Sequence, residues 1–236
     1  MFAQTQNELH NMKHMSILAV SLLALVACTP EKKQEADYSQ YVNPMIGTDF
    51  TGNTYPGAQV PFGMVQLSPD NGLPGWDRIS GYFYPDTTIA GFSHTHLSGT
   101  GAGDLYDISF MPVTRPYKEA PAPLGIYSTF SHNDEAASAG YYRVLLKDYN
   151  INVELTATER CGIQRYTFPE AEASVFLNLK KAMNWDFTLD SKIEVVDSTT
   201  IRGYRLSQGW SPLQHVYFET RFSKPFVACH MDTTSI

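Results

Sequence analysis

The sequence has little charge, and basic charge is the scarcer kind. Only 17% of its 236 residues are Asp, Glu, Lys or Arg, and 24 acidic residues stand against 17 basic ones. No run of Lys and Arg is long enough to follow a phosphate backbone, which argues against nucleic acid as a partner. No helical hydrophobic period of useful length follows residue 27, and this absence excludes a helical bundle.

Cysteine is also scarce, with three in the chain. An oxidising compartment would allow Cys161 and Cys229 to pair. Because they are far apart in the sequence, we expect each to be buried separately as a small hydrophobic side chain. The sequence has no H-E-x-x-H motif and no paired cysteines near its histidines, and both absences argue against a zinc site.

Aromatic residues are abundant, with 14 Tyr and 13 Phe, and 43% of all residues are hydrophobic. That content is sufficient for one large β domain or two small ones. Aromatic rings also stack on the faces of sugars, so the composition suits a sandwich whose clefts are lined with rings.

Residues 1–27 are interpreted as a signal peptide whose true start is Met12, because the apolar run Ser16 to Val26 is too short to cross a bilayer. The run ends at Leu25-Val26-Ala27-Cys28, which resembles the bacterial lipoprotein box, where cleavage leaves a lipidated cysteine. We therefore predict a lipoprotein anchored through Cys28, on the outer membrane or on the periplasmic or cell-surface side. Plain secretion is the alternative. Residues 28–40 are predicted to be a disordered tether.

Residues 41–236 are predicted to be the folded domain. Gly and Pro interrupt its first half, so only short strands such as Met64 to Leu67 suit it. Asn133 to Gly140 is expected to be a loop or one helical turn. Regularly spaced strands then predict an antiparallel sandwich: Tyr141 to Leu146, Ile151 to Thr158, Cys161 to Phe168, Ala173 to Leu179, Lys192 to Val196, Thr200 to Leu206, Leu213 to Arg221 and Lys224 to Cys229. We expect the domain to be incomplete at its C-terminus, because the chain stops directly after the last of these.

The stretch Gly91 to Asp104 differs most from an ordinary strand. In an extended chain His94 and His96 would share one face, and the glycines that follow would let a ligand approach the backbone. Hydrogen bonding to a polyhydroxylated ligand suits these side chains. The alternatives are imidazoles bonded inside a sheet edge and a zinc site that would need further ligands.

Trp76 and Asp77 are the second candidate pair for sugar contact. An indole face can pack on a pyranose ring while the neighbouring carboxylate accepts hydrogen bonds from hydroxyl groups. The alternative is a core tryptophan, with Asp77 paired to Arg78 or capping a turn. Trp210 lies in a loop and could face either a ligand or the core.

Four segments carry a family resemblance. They resemble the N-terminal domain of glycoside hydrolase family 92, bacterial calcium-dependent exo-α-mannosidases that act on N-glycans and yeast-type mannans. The resemblance covers about residues 38–236 and implies a large antiparallel β-sandwich of the galactose-mutarotase-like (supersandwich) type. The segments are Asn43-Pro44-Met45-Ile46-Gly47-Thr48, Gly52-Asn53-Thr54-Tyr55-Pro56-Gly57-Ala58, Pro61-Phe62-Gly63-Met64-Val65-Gln66-Leu67-Ser68-Pro69-Asp70 and Gly91 to Gly103.

The resemblance also implies that the sandwich is followed by an (α/α)6 barrel, with the active site at their junction. The family inverts the anomeric carbon with a glutamic acid and an aspartate base about 6.5–9.5 Å apart, and calcium holds sugar hydroxyls. Both carboxylates and most calcium ligands belong to the barrel. The resemblance therefore implies no catalytic residue and no metal ligand in this chain, which alone should be inactive.

Three hypotheses follow from the sequence. The first is a mannosidase domain that docks on a missing catalytic domain and helps it to bind α-mannosyl glycans, with Trp76, Asp77, His94 and His96 lining the sugar pocket. The second is a lipid-anchored, non-catalytic carbohydrate-binding module. The third is a metallohydrolase that uses the two histidines, and it would require bound zinc.

Overall fold

The computed structural model describes residues 36–120, 124–170, 172–180 and 185–231. Within these ranges the helical segments are three single 3-10 turns, Ser39–Tyr41, Trp76–Arg78 and His132–Asp134, and no helix could cross a membrane. The predicted signal peptide and Cys28 lie outside the described residues. The strands are β1 Ala58–Gln59, β2 Gln66–Asp70, β3 Thr88–Ile89, β4 Gly91–Ser93, β5 Ser109–Thr114, β6 Ser128–Thr129, β7 Glu135–Ser138, β8 Tyr141–Leu146, β9 Ile151–Ala157, β10 Gly162–Thr167, β11 Ala173–Asn178, β12 Phe187–Val195, β13 Thr200–Gln208 and β14 Gln214–Arg221.

These strands form four antiparallel sheets. A five-stranded sheet has the order β1-β2-β4-β5-β11, a four-stranded sheet the order β10-β9-β8-β7, and a three-stranded sheet the order β12-β13-β14. β3 and β6 form a separate ribbon. The predicted all-β, antiparallel class is confirmed.

The five-stranded sheet is a middle layer, because its strands supply two separate cores. Along β5, Met111 and Val113 belong to the large core shared with the four-stranded sheet. Phe110 belongs to a smaller core, against which Val216 and Phe218 of β14 pack while remaining partly exposed. Because other residues pack on both faces of β5, the strand is buried along most of its length. A strand with one face in solvent would instead alternate between buried and exposed residues.

Alternation predicted the strands of the outer layers well. β8 has the predicted bounds, β9 and β14 differ from theirs by one residue at one end, and β10 differs by one residue at each end. In the middle layer, β11 ends one residue earlier than predicted. β12 begins earlier than predicted, at Phe187, and β13 continues to Gln208.

Three local predictions are wrong. The strand predicted at Met64 to Leu67 begins and ends later, as β2. The prediction of a loop or one helical turn over 133–140 holds for Asn133 and Asp134, which end the 3-10 turn, but it misses β7, where the small residues Ala136 and Ala137 give no hydrophobic alternation. Lys224 to Cys229 forms no strand, and Val227 there is fully exposed.

Cys161 and Cys229 are both free, in agreement with the expectation of separate cysteines. Both are exposed, so the predicted burial is wrong. Cys161 lies in the tight turn between β9 and β10, where its backbone carbonyl accepts a hydrogen bond from the Thr158 N–H, and a turn of that kind turns the side chain to solvent.

Candidate functional site

Trp76 begins a 3-10 turn whose last residue, Arg78, is held by hydrogen bonds to Asp86. Gly75 precedes it with φ of 149°, a conformation that residues with a Cβ rarely adopt. Arg78, at the other end of the turn, donates from Nε to Asp86 Oδ2 over 2.6 Å, and its guanidinium lies 4.8 Å from the Phe83 ring centre. Because the turn is held through Arg78, Trp76 projects outward and is 57% exposed.

Asp77 lies in the same turn and is partly buried. The alternative in which Asp77 pairs with Arg78 is not what the structure shows, since the bidentate partner of Arg78 is Asp86. The structure brings Trp76 and Asp77 together on one turn, at the surface rather than in the core.

The glycine-rich loop 98–104 passes next to Trp76. A Cβ placed on Gly101 would lie 3.2 Å from Cη2 of Trp76, so the indole packs directly over the loop backbone. The same loop meets two other tryptophans through their backbones. The Trp185 N–H donates to the Gly103 carbonyl over 3.4 Å, and the Trp210 N–H donates to Asp104 Oδ2 over 2.6 Å.

Trp76, Trp185 and Trp210, which we call the tryptophan rim, are all the tryptophans in the chain. Trp185 is 48% exposed and Trp210 is 78% exposed. The Trp76 indole contacts the loop itself, whereas Trp185 and Trp210 reach it through their backbone N–H groups and have exposed indoles. Exposed indoles on segments that meet at one loop are typical of a binding surface. The rim therefore offers flat apolar faces around a loop with little side-chain bulk.

Asp104 fixes the base of the rim. Its side chain is buried, and Oδ2 accepts from the Trp210 N–H and from Gln214 Nε2 at 3.0 Å. Oδ1 of Asp104 is buried without a hydrogen-bond partner among the described residues. Gly209 passes so close that a Cβ there would lie 2.1 Å from Oδ1.

A buried arginine holds the loop to the three-stranded sheet. Arg205 of β13 is 1% exposed and pairs with Asp107 Oδ1 at 2.6 Å and with Asp186 Oδ2 at 2.5 Å. It also donates to the carbonyls of Leu105 and Leu179. Burial raises the pKa of Asp186 to about 6, although Arg205 opposes that shift. The segment Leu105 to Asp107, directly after the glycine-rich loop, is therefore joined by buried charge to β13 and to the start of β12.

His96 is buried at the end of the middle sheet. Its Nδ1 lies 2.7 Å from the Gln66 carbonyl oxygen, and its Nε2 lies 2.8 Å from Asp70 Oδ1 and 3.0 Å from Ser93 Oγ. Serine and aspartate thus meet the same ring nitrogen, whereas a nucleophilic triad needs them on opposite nitrogens. The cluster is a structural network rather than a catalytic triad.

His94 goes to different neighbours. Its Nδ1 lies 2.8 Å from the Ile108 carbonyl, to which it must donate, and Nε2 is 3.4 Å from Gln164 Nε2. Burial lowers the pKa of His94, so the ring is held neutral. The expected strand stops at Ser93, so the extended-chain reason for placing both imidazoles on one open face does not hold. Sugar contact by either ring stays a prediction, and in this structure both rings hold neighbouring backbone carbonyls, those of Ile108 and Gln66.

The described residues contain no group of three or more His, Cys, Asp or Glu side chains arranged to hold a metal ion. The buried aspartates beneath the rim already face Arg205, a cation. These aspartates do not suit a calcium site.

A family profile described as Glycosyl hydrolase family 92 N-terminal domain matches residues 41–234. The chain belongs to glycoside hydrolase family 92. The match confirms the family that the four sequence segments predicted.

Solved structures of family 92 enzymes share the fold. The family GH92 α-mannosidase of Bacteroides thetaiotaomicron, in complex with mannoimidazole, is 43% identical with a TM-score of 0.76, and the match covers 80% of this chain and 26% of that enzyme. The family GH92 inverting mannosidase of B. thetaiotaomicron VPI-5482 is 28% identical with a TM-score of 0.65, covering 83% of this chain and 26% of that one. A secreted glycosidase of Arthroderma benhamiae, named as uncharacterized, is 26% identical over 172 residues, which are 69% of this chain and 21% of the relative. This family 92 chain therefore spans about a quarter of its relatives' length.

Part of this candidate site could not be predicted from the sequence. Trp185 stands before a strand whose start was predicted too late, and Arg205 reads as an ordinary polar position in β13. Trp210 could not be assigned to ligand or core from its loop alone, and the structure exposes it. The usable signal was the tryptophan count, because three indoles outside the predicted apolar core strands suggest a surface role.

Proposed function

We propose that this chain is the N-terminal domain of an exo-acting α-mannosidase, and that its tryptophan rim contacts the α-mannosyl glycan at the junction with a catalytic domain. The observation that carries the proposal is the meeting of all three tryptophans, each at least 48% exposed, at one glycine-rich loop. Indole faces suit the C–H faces of pyranose rings. The mannosidases that share the fold support a mannoside as the sugar.

The reacting carboxyl groups are proposed to come from an (α/α)6 catalytic domain. An inverting glycosidase needs one carboxylic acid and one carboxylate facing a water-filled gap, about 6.5–9.5 Å apart. Near the rim, Asp107 and Asp186 are buried against Arg205, and Asp104 is buried beneath Trp210. Carboxylates that already bond an arginine or a backbone N–H support a structural role for this domain rather than a catalytic one. We propose that the calcium expected for the family is held mainly by the same catalytic domain.

Apolar side chains outside the rim support docking on that domain. Phe62 is fully exposed, and Ile46 and Phe50 are more than 70% exposed. Loops that present several large apolar groups are typical of protein interfaces. In this proposal the N-terminal loops face the catalytic domain.

We also propose that the protein is a bacterial lipoprotein anchored through Cys28 at the outer membrane or on the periplasmic or cell-surface side. The apolar run and the tetrad ending in Cys28 support the anchor. The secreted fungal relative supports a location outside the cytoplasm. N-glycans or mannans outside the cell would be the substrates.

The test uses a complete homologous enzyme and changes the residues that correspond to Trp76 and His94. Trp76→Ala should lower kcat/KM on an α-mannoside by about tenfold, because ring stacking and its buried area are lost. Trp76→Phe is the matched control and should keep most of the rate. Unchanged kinetics for both Trp76→Ala and His94→Ala would leave these residues as scaffold. Sugar binding by this chain alone, lost in Trp76→Ala, would instead favour the carbohydrate-binding module.

A further inference from the structure

The outer face of the four-stranded sheet carries a groove that shares no residue with the tryptophan rim. Its volume is about 500 Å³, within the range of small-molecule sites. Strand alternation creates the groove, since Tyr142 and Val144 point into the large core. Tyr141 and Arg143 therefore point outward. The groove is lined by Asp134, Tyr141, Arg143, Asn152, Glu154 and Thr167, with backbone from Val144 and Val153.

Register places these side chains in two rows. Arg143 pairs across the ladder with Glu154, and Glu154 pairs with Arg165. In the next row, Asn152 pairs with Thr167. Directly opposed residues have Cβ atoms about 4.5–5.5 Å apart, so the groups form a continuous polar surface.

One row is fixed internally. Arg165 Nε donates to Glu154 Oε2 over 2.6 Å, and Tyr141 donates from its hydroxyl to Glu154 Oε1 over 2.6 Å. This arrangement uses both carboxylate oxygens and fixes the tyrosine ring at the groove wall. Hydrogen bonds from Arg165 and Tyr141 lower the pKa of Glu154 to about 2, so the carboxylate stays ionised at neutral pH.

Arg143 lies opposite Glu154 in the ladder, but the Glu154 carboxylate bonds Arg165 and Tyr141 instead. The Arg143 guanidinium makes no hydrogen bond or ion pair within the described ranges, and the same holds for the side chains of Asn152, Thr167 and Asp134. The groove thus combines a planar five-donor cation, an amide, a hydroxyl and a carboxylate, all available to a ligand.

The charges decide the class of ligand. Among the lining residues Arg143 carries one positive charge, and Glu154 and Asp134 carry two negative charges. Arg165 lies outside the lining and pairs with Glu154, so the groove together with this neighbour carries no net charge. We propose that this groove is a second carbohydrate site that takes a neutral oligosaccharide, with Arg143, Asn152 and Asp134 bonding its hydroxyl groups beside the Tyr141 ring. The site would hold a glycan chain independently of the tryptophan rim.

The experiment follows the full chain by two-dimensional amide NMR during titration with α-mannotriose. Resonances of Arg143 and Asn152 should shift in the wild type. Arg143→Ala should weaken that association by about tenfold, and Asn152→Ala by several fold, as expected for lost hydrogen bonds. Trp76→Ala should leave the groove shifts unchanged, which separates this site from the rim.

The matched control is Arg202→Ala, which removes an exposed arginine from β13 where it pairs with Glu194. It should bind like the wild type. Absence of groove shifts at millimolar mannotriose, or equal binding by Arg143→Ala, would overturn the proposal. Tighter binding of trigalacturonate than of mannotriose would overturn the neutral class of ligand. Arg143 and Asn152 are exposed, so circular dichroism should show both variants folded.

Discussion

At the scale of single residues, Arg205 does most to define the site. It is buried among Asp107, Asp186 and two backbone carbonyls. A buried ion pair is costly to form, but removal of one partner is costlier because the remaining charges stay out of water. Arg205 therefore holds the segment after the glycine-rich loop 98–104 against β13, at a place where an unpaired carboxylate would be unfavourable.

Replacing Arg205 tests this role. Arg205→Ala should lower the free energy of unfolding at pH 7 by about 3–5 kcal/mol, since two buried carboxylates lose their cation. Urea denaturation followed by circular dichroism measures the change. Arg202→Ala, three positions earlier on the same strand, removes an exposed pair and should change stability by less than about 1 kcal/mol. A loss of the same small size in both variants would contradict the buried network.

Asp186 predicts a pH dependence of stability. Its carboxyl has a folded-state pKa of about 6, raised from 3.8 by burial. Between these pH values the folded state binds the proton of Asp186 more tightly than the unfolded state does. The contribution of Asp186 to the free energy of unfolding therefore falls as the pH rises from about 4 to 6. The shift corresponds to about 3 kcal/mol.

Asp186→Asn removes the titrating group while keeping its shape. Urea denaturation at pH 4 and pH 7 should show that the wild type loses about 2 kcal/mol more between these pH values than the variant does, because the unfolded carboxyl group is already partly ionised at pH 4. All other titrating groups are shared, so the difference between the two proteins isolates Asp186. Parallel pH profiles would show that Arg205 keeps this carboxyl ionised throughout.

At the scale of elements, alternation made the outer strands predictable. Along β9 the buried Ile151, Val153 and Leu155 alternate with polar residues, because one face meets a core and the other meets water. β5 has no such alternation, since both faces are covered. The position of β5 in the middle layer could not be predicted from the sequence, because local patterns do not show which sheets pack on each face of a strand.

The site was less predictable than the fold for the same reason. Trp76 and the glycines of 98–104 are visible as motifs, but their contact joins segments about 25 residues apart. Arg205 meets Asp107 across nearly 100 positions. Spacing rules describe one strand or turn at a time, whereas these contacts depend on how sheets pack on each other.

Gly209 allows the loop after β13 to lie on Asp104. In Gly209→Ala the new Cβ would meet a short, buried carboxylate, so the loop should shift and stability should fall by about 1–3 kcal/mol. Tryptophan emission should change as well, because the backbone N–H of Trp210 loses its bond to Asp104. Ser211→Ala is the control in the same loop, and it removes only an exposed bond to the Leu213 carbonyl. Equal emission and stability in both variants would refute this close approach.

At the scale of the whole molecule, the two cores differ in how well they are covered. The large core contains many fully buried side chains, whereas Ile193, Val216 and Phe218 stay partly exposed around the small core. With Phe50, Phe62 and the tryptophan rim, these groups give the domain apolar surface on several elements. Such a surface agrees with a domain that works in contact with another.

Without a catalytic partner domain, this chain is expected to have no α-mannosidase activity. Residues 28–236 alone should release no mannose above the blank from an α-mannoside in calcium buffer, because the aspartates beneath the rim are committed to Arg205 and to backbone donors. A general acid and a general base each contribute about 10²- to 10⁴-fold, so a chain without both loses most of its rate. A complete B. thetaiotaomicron homologue assayed in parallel should release mannose. Release by the isolated chain that survives repurification and disappears in Trp76→Ala would place catalytic groups inside this domain and would refute the proposal that a separate catalytic domain supplies them.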